Sequence, residues 1–181
     1  MFLVSAEREF LYFKEITAMF GLFKKKEVIK EVMVNAICEG LVVPIEQVPD
    51  RVFANKTLGD GVGFILDQDT IYAPCDGEII MLAGTYHALG LRLKNGAEIL
   101  IHIGLDTVYL NGQGLKPKVK KGDFVKQGQQ LLEIDRRLME EKKIDLTTPL
   151  LLTTNEEYRL TMIKNNGTVN IHEPILRIER I

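Results

Sequence analysis

Two histidines on neighbouring apolar segments are the residues of this chain best suited to do chemistry. His102 follows the apolar run 99–101, and Gly104 comes two residues after it. His87 lies upstream, just before a second apolar run at 88–93. Two imidazoles brought together in this way indicate a metal site, histidine group transfer or a buried structural pair. His172, the third histidine of the chain, is predicted to be a surface residue.

The pattern of possible metal ligands is incomplete. A catalytic zinc site takes three protein ligands, commonly from His-x-His or His-Glu-x-x-His motifs. Here the residue two after His102 is Gly104, and the two cysteines, Cys38 and Cys75, are far apart. No intrinsic metal site or other cofactor is therefore expected. His87 and His102 are expected to bind zinc only in a complex whose partner adds a carboxylate.

The residues beside the histidines suit a nucleophilic imidazole. Neutral imidazole has an ordinary pKa of about 6.5 and can accept and pass on a phosphoryl group. The backbone carbonyl of Gly104 is a natural acceptor for one ring nitrogen of His102, which leaves the other nitrogen free to attack. His87 can donate a hydrogen bond to the phosphoryl oxygens, and the Thr85 hydroxyl can fix the His87 ring. Because the chain has no Walker loop, the predicted donor is another phosphorylated protein rather than ATP.

Short runs rich in branched residues, separated by glycine turns, predict an all-β protein. One segment, 136–143, predicts a short helix with Asp135 as its N-cap. The runs that predict strands are 32–37, 41–45, 63–66, 78–82, 89–93, 99–102, 131–134, 150–153 and 175–178.

The length of 181 residues predicts one domain, residues 29–181, after an N-terminal extension, residues 1–28. The extension mixes charges and aromatics at roughly helical spacing and ends in three lysines at 24–26. That pattern is compatible with an amphipathic helix on an anionic membrane. A frayed terminus of no function is the favoured interpretation, because charge runs of this kind are usually just solvated. A net charge of −2 without a basic stripe argues against nucleic acid. The absence of a long apolar run or a signal peptide predicts a cytoplasmic protein.

Several stretches together resemble one family, the glucose-type enzyme IIA of the bacterial phosphoenolpyruvate-dependent sugar phosphotransferase system. The resemblance runs from about Lys30 to Ile178, and its most specific part is the His-Ile-Gly-Leu-Asp-Thr-Val stretch with a histidine upstream. The matching stretches are 48–54, 58–62, 73–79, 85–88 and 102–114.

The resemblance implies an antiparallel β-sandwich or barrel, a duplicated hybrid motif with six-stranded sheets and one or two short helices. It implies that His102 accepts phosphate from the phosphohistidine of the small carrier HPr. A cysteine on a IIB domain of a sugar permease then receives the group during sugar uptake. His87 would support the transfer, Thr85 would hydrogen-bond His87, and the Gly104 backbone would orient His102.

The same resemblance implies a docking face around the histidines. Asp50 and Asp106 match acidic positions where partner arginines approach, and Val52, Phe53 and Val108 match its apolar part. The sugar and the individual IIB partner are not implied, and membrane contact is expected only through the permease or residues 1–28. A regulatory binding protein, whose partners depend on phosphorylation of His102, remains the alternative function.

Overall fold

The structure, a computed structural model, describes residues 29–154 and 156–181, and the described chain is built mainly of short β-strands. The predicted extension, residues 1–28, lies outside the described residues, so its helix stays a prediction. The strands are β1 Glu31–Asn35, β2 Gly40–Pro44, β3 Asp60–Leu66, β4 Thr70–Tyr72, β5 Gly77–Leu82, β6 Ala88–Leu93, β7 Glu98–His102, β8 Leu115–Pro117, β9 Phe124–Val125, β10 Gln130–Ile134, β11 Thr148–Leu152, β12 Tyr158–Met162, β13 Gly167–Val169 and β14 Pro174–Arg180.

The strands form one eight-stranded sheet, in the order β13-β2-β3-β11-β7-β6-β5-β9, and two three-stranded sheets, β1-β14-β12 and β4-β10-β8. Every pairing among the described strands is antiparallel. The predicted antiparallel all-β class is confirmed, whereas the expected six-stranded sheets differ from this division. All nine predicted runs overlap strands, but β4, β8, β9, β12 and β13 were not predicted.

One large core is shared by all three sheets. It contains Val34 from the β1 sheet, Leu131 from the β4 sheet and Phe64 from the eight-stranded sheet, each 0% exposed. Within β7, Ile99 and Ile101 point into this core, because side chains alternate between the faces of a strand. Residues 98, 100 and 102 therefore lie on the opposite, outer face of the sheet. His102 is the last residue of the strand on that face.

Two short helices complete the described chain, α1 at Arg51–Ala54 and α2 at Arg136–Glu141. The Asp135 side chain accepts a hydrogen bond from Leu138 N at 3.1 Å, which confirms the predicted N-cap of α2. This helix ends two residues before the predicted limit, since Lys142 is its C-cap and Lys143 has a φ of 57°. In addition, 3-10 turns lie at Ile45–Gln47 and Thr107–Leu110.

No helix among the described residues is long and apolar enough to cross a membrane. Cys38 and Cys75 are buried free thiols, and burial raises the pKa of each to about 12. Thiols with so high a pKa carry almost no thiolate at neutral pH, so neither cysteine is a nucleophile.

Candidate active site

His102 ends β7 with its ring fixed by the backbone that follows it. Its Nδ1 atom lies 2.8 Å from the carbonyl oxygen of Gly104. Because a carbonyl oxygen can only accept, Nδ1 must carry the proton, and Nε2 keeps its lone pair. Gly104 has a φ of 65°, the left-handed conformation that glycine adopts without strain. This is the contact that the predicted role of the Gly104 backbone requires, and the role itself stays a prediction.

The loop after His102 is held by hydrogen bonds to other segments and within itself. Gly104 N donates to Thr148 Oγ1 at 3.2 Å, and Leu105 N donates to Asp145 O at 2.7 Å. Thr107 Oγ1 donates to Ile103 O at 2.5 Å, so the turn also closes on itself. These contacts hold the Gly104 carbonyl in place relative to His102.

His87 stands beside His102 because β6 and β7 are paired. Ala88 is the register partner of His102, and Ile103 N donates to His87 O at 2.7 Å. The two imidazole rings meet edge to face, with centroids 5.3 Å apart and planes inclined at 68°. Thr85 Oγ1 lies 2.5 Å from His87 Nδ1. The structure thus brings together His87, His102 and Thr85, as predicted from the sequence.

Burial lowers the pKa of both histidines. For His102 burial is the largest cause, opposed by the hydrogen bond to the Gly104 carbonyl and by the charges of Asp50 and Asp106. Burial alone lowers the pKa of His87. Both rings are therefore mostly neutral at pH 7, as a nucleophilic imidazole requires.

A small apolar cluster supports His102 from the outer face of the sheet. Phe53 from α1 packs on the His102 ring, with centroids 5.0 Å apart and planes inclined at 57°. Phe53 is only 5% exposed, so it supports the His102 ring more than it presents surface to a partner. The other members of the cluster are Ile45, Val48, Leu105 and Leu151, with Leu100 against them.

The remaining predicted docking residues surround this site. Val52 and Val108 are exposed apolar residues, at 46% and 38%. Asp50 and Asp106 line one cleft. Asp50 is also the N-cap of α1, since its Oδ1 accepts from Val52 N at 2.7 Å.

Two further charged residues of this cleft, Lys143 and Asp145, are not predicted from the sequence. They follow α2, far from either histidine in the chain, and no motif pointed to them. Among residues 29–154 and 156–181, no group of three side chains of the metal-ligating types could hold a metal ion. His172 is exposed, in agreement with its prediction.

Comparison with known proteins decides among the chemistries that this geometry allows. Residues 32–158 match the sequence model of the family described as phosphoenolpyruvate-dependent sugar phosphotransferase system, EIIA 1. The chain belongs to this EIIA family. It is a phosphoryl carrier of the sugar phosphotransferase system, a relay component that passes phosphate toward IIB domains.

Relatives of this EIIA protein occur both alone and within larger chains. It is 43% identical over 140 residues to the PTS system glucose-specific EIIA component of Oceanobacillus iheyensis, a match that covers 77% of this chain and 85% of the relative. It is 42% identical over 139 residues to the PTS system beta-glucoside-specific EIIBCA component of Dickeya chrysanthemi. That match covers 77% of this chain but only 22% of the longer protein.

A solved structure shows the same fold. The glucose permease IIA from Mycoplasma capricolum superimposes on this EIIA protein with a TM-score of 0.77 and 32% sequence identity. The match covers 82% of this chain and 96% of that one. This likeness confirms the predicted fold class.

Proposed function

We propose that His102 is the residue that carries the phosphoryl group. The observation that carries this proposal is the 2.8 Å hydrogen bond from His102 Nδ1 to Gly104 O. It fixes the proton on Nδ1 and leaves Nε2 as the nucleophile. The half-buried position of the ring supports the proposal further, because it limits the access of water to a phosphohistidine.

The two transfers require no proton to leave His102. In the first, the Nε2 lone pair forms a bond to phosphorus as the phosphorus–nitrogen bond of the donor phosphohistidine breaks. Positive charge develops on the ring, and the Gly104 carbonyl dipole stabilises it through the Nδ1 proton. In the second, an acceptor thiolate forms a sulfur–phosphorus bond as the Nε2–phosphorus bond breaks and its electron pair returns to Nε2.

His87 has the supporting role in this proposal. If the Thr85 hydroxyl donates to Nδ1 of His87, then Nε2 of His87 carries the proton and can donate to a phosphoryl oxygen. The short Thr85–His87 contact and the adjacent rings support that arrangement. A hydrogen bond aimed at charge that grows during transfer is a common source of rate enhancement.

The donor in this proposal is phospho-HPr, and the acceptor is the cysteine of a IIB domain. The fusion of this domain to IIB and IIC in the Dickeya chrysanthemi relative supports the acceptor. Asp50 and Asp106 would orient basic partners, and the exposed Val52 and Val108 would form apolar contacts. The relatives' names include glucose and beta-glucoside, so we propose a glucose-type sugar as the cargo of the acceptor system.

The place of action in this proposal is the cytoplasmic side of the membrane, where the IIB domain of a permease receives phosphate. The permease-fused relative supports it. Contact of residues 1–28 with the inner membrane face is a further part of the same proposal, supported by the lysines at 24–26.

A regulatory role is the second candidate function. Phosphorylation adds about −1.5 to −2 charges, and here they would arise beside exposed Val52 and Val108. Partners of the two forms should then differ, which a pull-down with each form would show. Identical partner sets would argue against regulation.

Zinc fits only a shared site. The two histidines offer two ligands, whereas a closed zinc site needs four, and the described residues add no third. A partner would have to add a carboxylate as the third ligand, with a water or a second partner atom as the fourth. A complex whose affinity does not change when zinc is added would remove this option.

The test of the main proposal is a reconstituted relay. With phosphoenolpyruvate, enzyme I and HPr, the protein should gain one phosphate that is labile in acid and stable in base. His102→Gln should abolish this uptake, while His172→Gln, at an exposed position, should not change it. Uptake of the same phosphate by His102→Gln would overturn the assignment.

A further inference from the structure

Tyr86, between Thr85 and His87, has an unusual backbone conformation. Its φ is 60°, in the left-handed region that residues with a Cβ atom rarely enter. Glycine, asparagine and aspartate are the usual residues there, because glycine lacks a Cβ and the other two can hydrogen-bond locally. Tyrosine has neither property, so contacts elsewhere must stabilise the conformation.

The conformation of Tyr86 matters because it sets the distance between its two neighbours. In an extended strand, side chains two residues apart stand about 6–7 Å apart. Here Tyr86 N donates to Ala83 O at 2.8 Å, and the chain bends at residue 86. The bend is what allows Thr85 Oγ1 to lie 2.5 Å from Nδ1 of His87.

The ring of Tyr86 contacts the segment that follows His102. A Cβ atom built on Gly112 would stand 3.3 Å from Cδ2 of Tyr86 and 3.5 Å from its Cε2. The edge of the tyrosine ring therefore lies against the bare backbone of Gly112, whose φ is 85°. The ring also packs against the main core. Through this contact the loop that carries His87 rests on the chain that follows the 3-10 turn Thr107–Leu110.

We infer that Tyr86 is a positioning residue for phosphoryl transfer: its ring, seated on Gly112, keeps the bend that joins Thr85 to His87. This inference rests on the proposed function of His87. It assigns a role to an aromatic ring that lies against Gly112 and the main core. The tyrosine hydroxyl has no hydrogen bond within the described part of the chain, so the ring alone carries the role.

The direct readout is the tautomer of His87 in the unphosphorylated protein, measured from ¹⁵N chemical shifts of the imidazole. The wild-type protein should show one dominant tautomer, with the proton on Nε2, because in the proposed arrangement the Thr85 hydroxyl donates to Nδ1. Tyr86→Ala should show both tautomers, and its delivery of phosphate to a IIB domain should fall about tenfold, the scale of one neutral hydrogen bond. Tyr86→Phe keeps the ring and should retain the single tautomer.

A double-mutant cycle isolates the ring contact from general damage. Gly112→Ala should crowd the ring and mix the His87 tautomers in the wild-type background. The same change should add nothing in the Tyr86→Ala protein, where no ring remains to be crowded. Gly122→Ala is the matched control, because Gly122 has a similar φ of 91° but no atom within 4 Å of the added Cβ.

The outcomes separate this inference from the proposed function. An unchanged tautomer in both Tyr86→Ala and Gly112→Ala would overturn the role of Tyr86, even if His102 accepts phosphate normally. If Tyr86→Ala fails to fold, Gly112→Ala compared with Gly122→Ala decides alone. Failure of wild-type His102 to accept phosphate would overturn the proposed function and leave the tautomer result standing.

Discussion

The rings of His87 and His102 meet edge to face at a centroid distance of 5.3 Å. Their environments are unequal, because His102 Nδ1 contacts a backbone carbonyl and His87 Nδ1 contacts a hydroxyl. A carbonyl dictates which nitrogen carries the proton, whereas a hydroxyl can donate or accept. The lone pair of His102 is therefore fixed on Nε2, whereas the tautomer of His87 depends on the hydroxyl of Thr85.

Substitution of His87 should affect the two transfers unequally. His87→Gln should still accept phosphate on His102, since the attacking imidazole is neutral. Delivery to IIB should fall about 10²–10³-fold, the usual effect of removing a hydrogen-bond donor from developing charge. Delivery depends more on His87, because the attacking thiolate of IIB brings a negative charge to the phosphoryl group and the hydrogen bond from His87 stabilises that charge. Single-turnover rates for each step measure this, and unimpaired delivery would exclude the supporting role.

Gly104 should tolerate no side chain. In Gly104→Ala, the new Cβ would lie 2.8 Å from Thr107 Cγ2 and 3.0 Å from Asp145 O, at a φ of 65°. We expect a loss of about 1–3 kcal/mol in the free energy of unfolding, from backbone strain and crowding. We also expect slower phosphate uptake, because the carbonyl that orients His102 must move. Urea unfolding and phosphate incorporation are the measurements.

Gly128→Ala is the control for that experiment. Gly128 has a φ of 76°, yet an added Cβ there meets no atom within 4 Å. Gly128→Ala should show the strain of an alanine in the left-handed backbone conformation, and it should not change phosphate uptake. Equal uptake by the Gly104→Ala protein and by wild type would contradict the role of the carbonyl.

The site could be predicted from the sequence where its contacts are local. Gly104 is two residues from His102 and Thr85 is two from His87, so each pair can be inferred from adjacency. The tilted contact between the rings of Phe53 and His102 joins distant parts of the chain and has no local signal. The left-handed backbone of Tyr86 has no signal either, since its residue type argues against it.

The fold was predictable to a similar degree. Nine of the ten strands with five or more residues are predicted, and β12 is the exception because its sequence, Tyr-Arg-Leu-Thr-Met, carries no continuous apolar run. The strand β9, with two residues, is too short to show alternation. The helix α1 has four residues and ends before an apolar period can repeat. How the strands divide among sheets depends on long-range pairing, which periodicity does not contain.

Acid should weaken the fold before it protonates the site. Burial lowers the pKa of His87 and of His102 from 6.5. As pH falls below about 6.5, these two histidines bind protons in the unfolded chain but not yet in the folded protein, so the free energy of unfolding decreases. The contribution of the two histidines to this decrease levels off once pH is below both of their folded pKa values. Phosphate uptake should persist below pH 6.5, until His102 itself protonates.

Proton NMR titration of the imidazole signals gives both pKa values directly, and His172→Gln removes the third histidine signal. Urea unfolding at several pH values tests the linkage. A titration midpoint of His102 above 6.5 would contradict the effect ascribed to burial.

Removal of the Asp106 charge should slow docking without harming the fold. Asp106 has a φ of 59°, which asparagine tolerates well, so Asp106→Asn preserves shape and conformation. The association rate with a basic partner such as HPr should fall, and its dependence on salt should weaken. Stopped-flow transfer at several ionic strengths measures both. Glu31→Gln lies in β1, outside the eight-stranded sheet that carries His102, and should leave the association rate and its salt dependence unchanged.

Phe53 links the stability of the outer cluster to the chemistry of His102. The ring is 5% exposed and lies 5.0 Å from the imidazole centroid. Phe53→Ala should lower the free energy of unfolding by about 3 kcal/mol or more, as is usual for a buried phenylalanine. It should also raise the pKa of His102 toward 6.5, because water would replace the ring.

The same substitution at Phe124, which is 81% exposed, should change stability by about 0.5 kcal/mol or less and leave the pKa of His102 unaltered. A destabilised Phe53→Ala protein with an unshifted His102 would mean that other side chains keep water from the imidazole, and the cluster would then be a structural support alone.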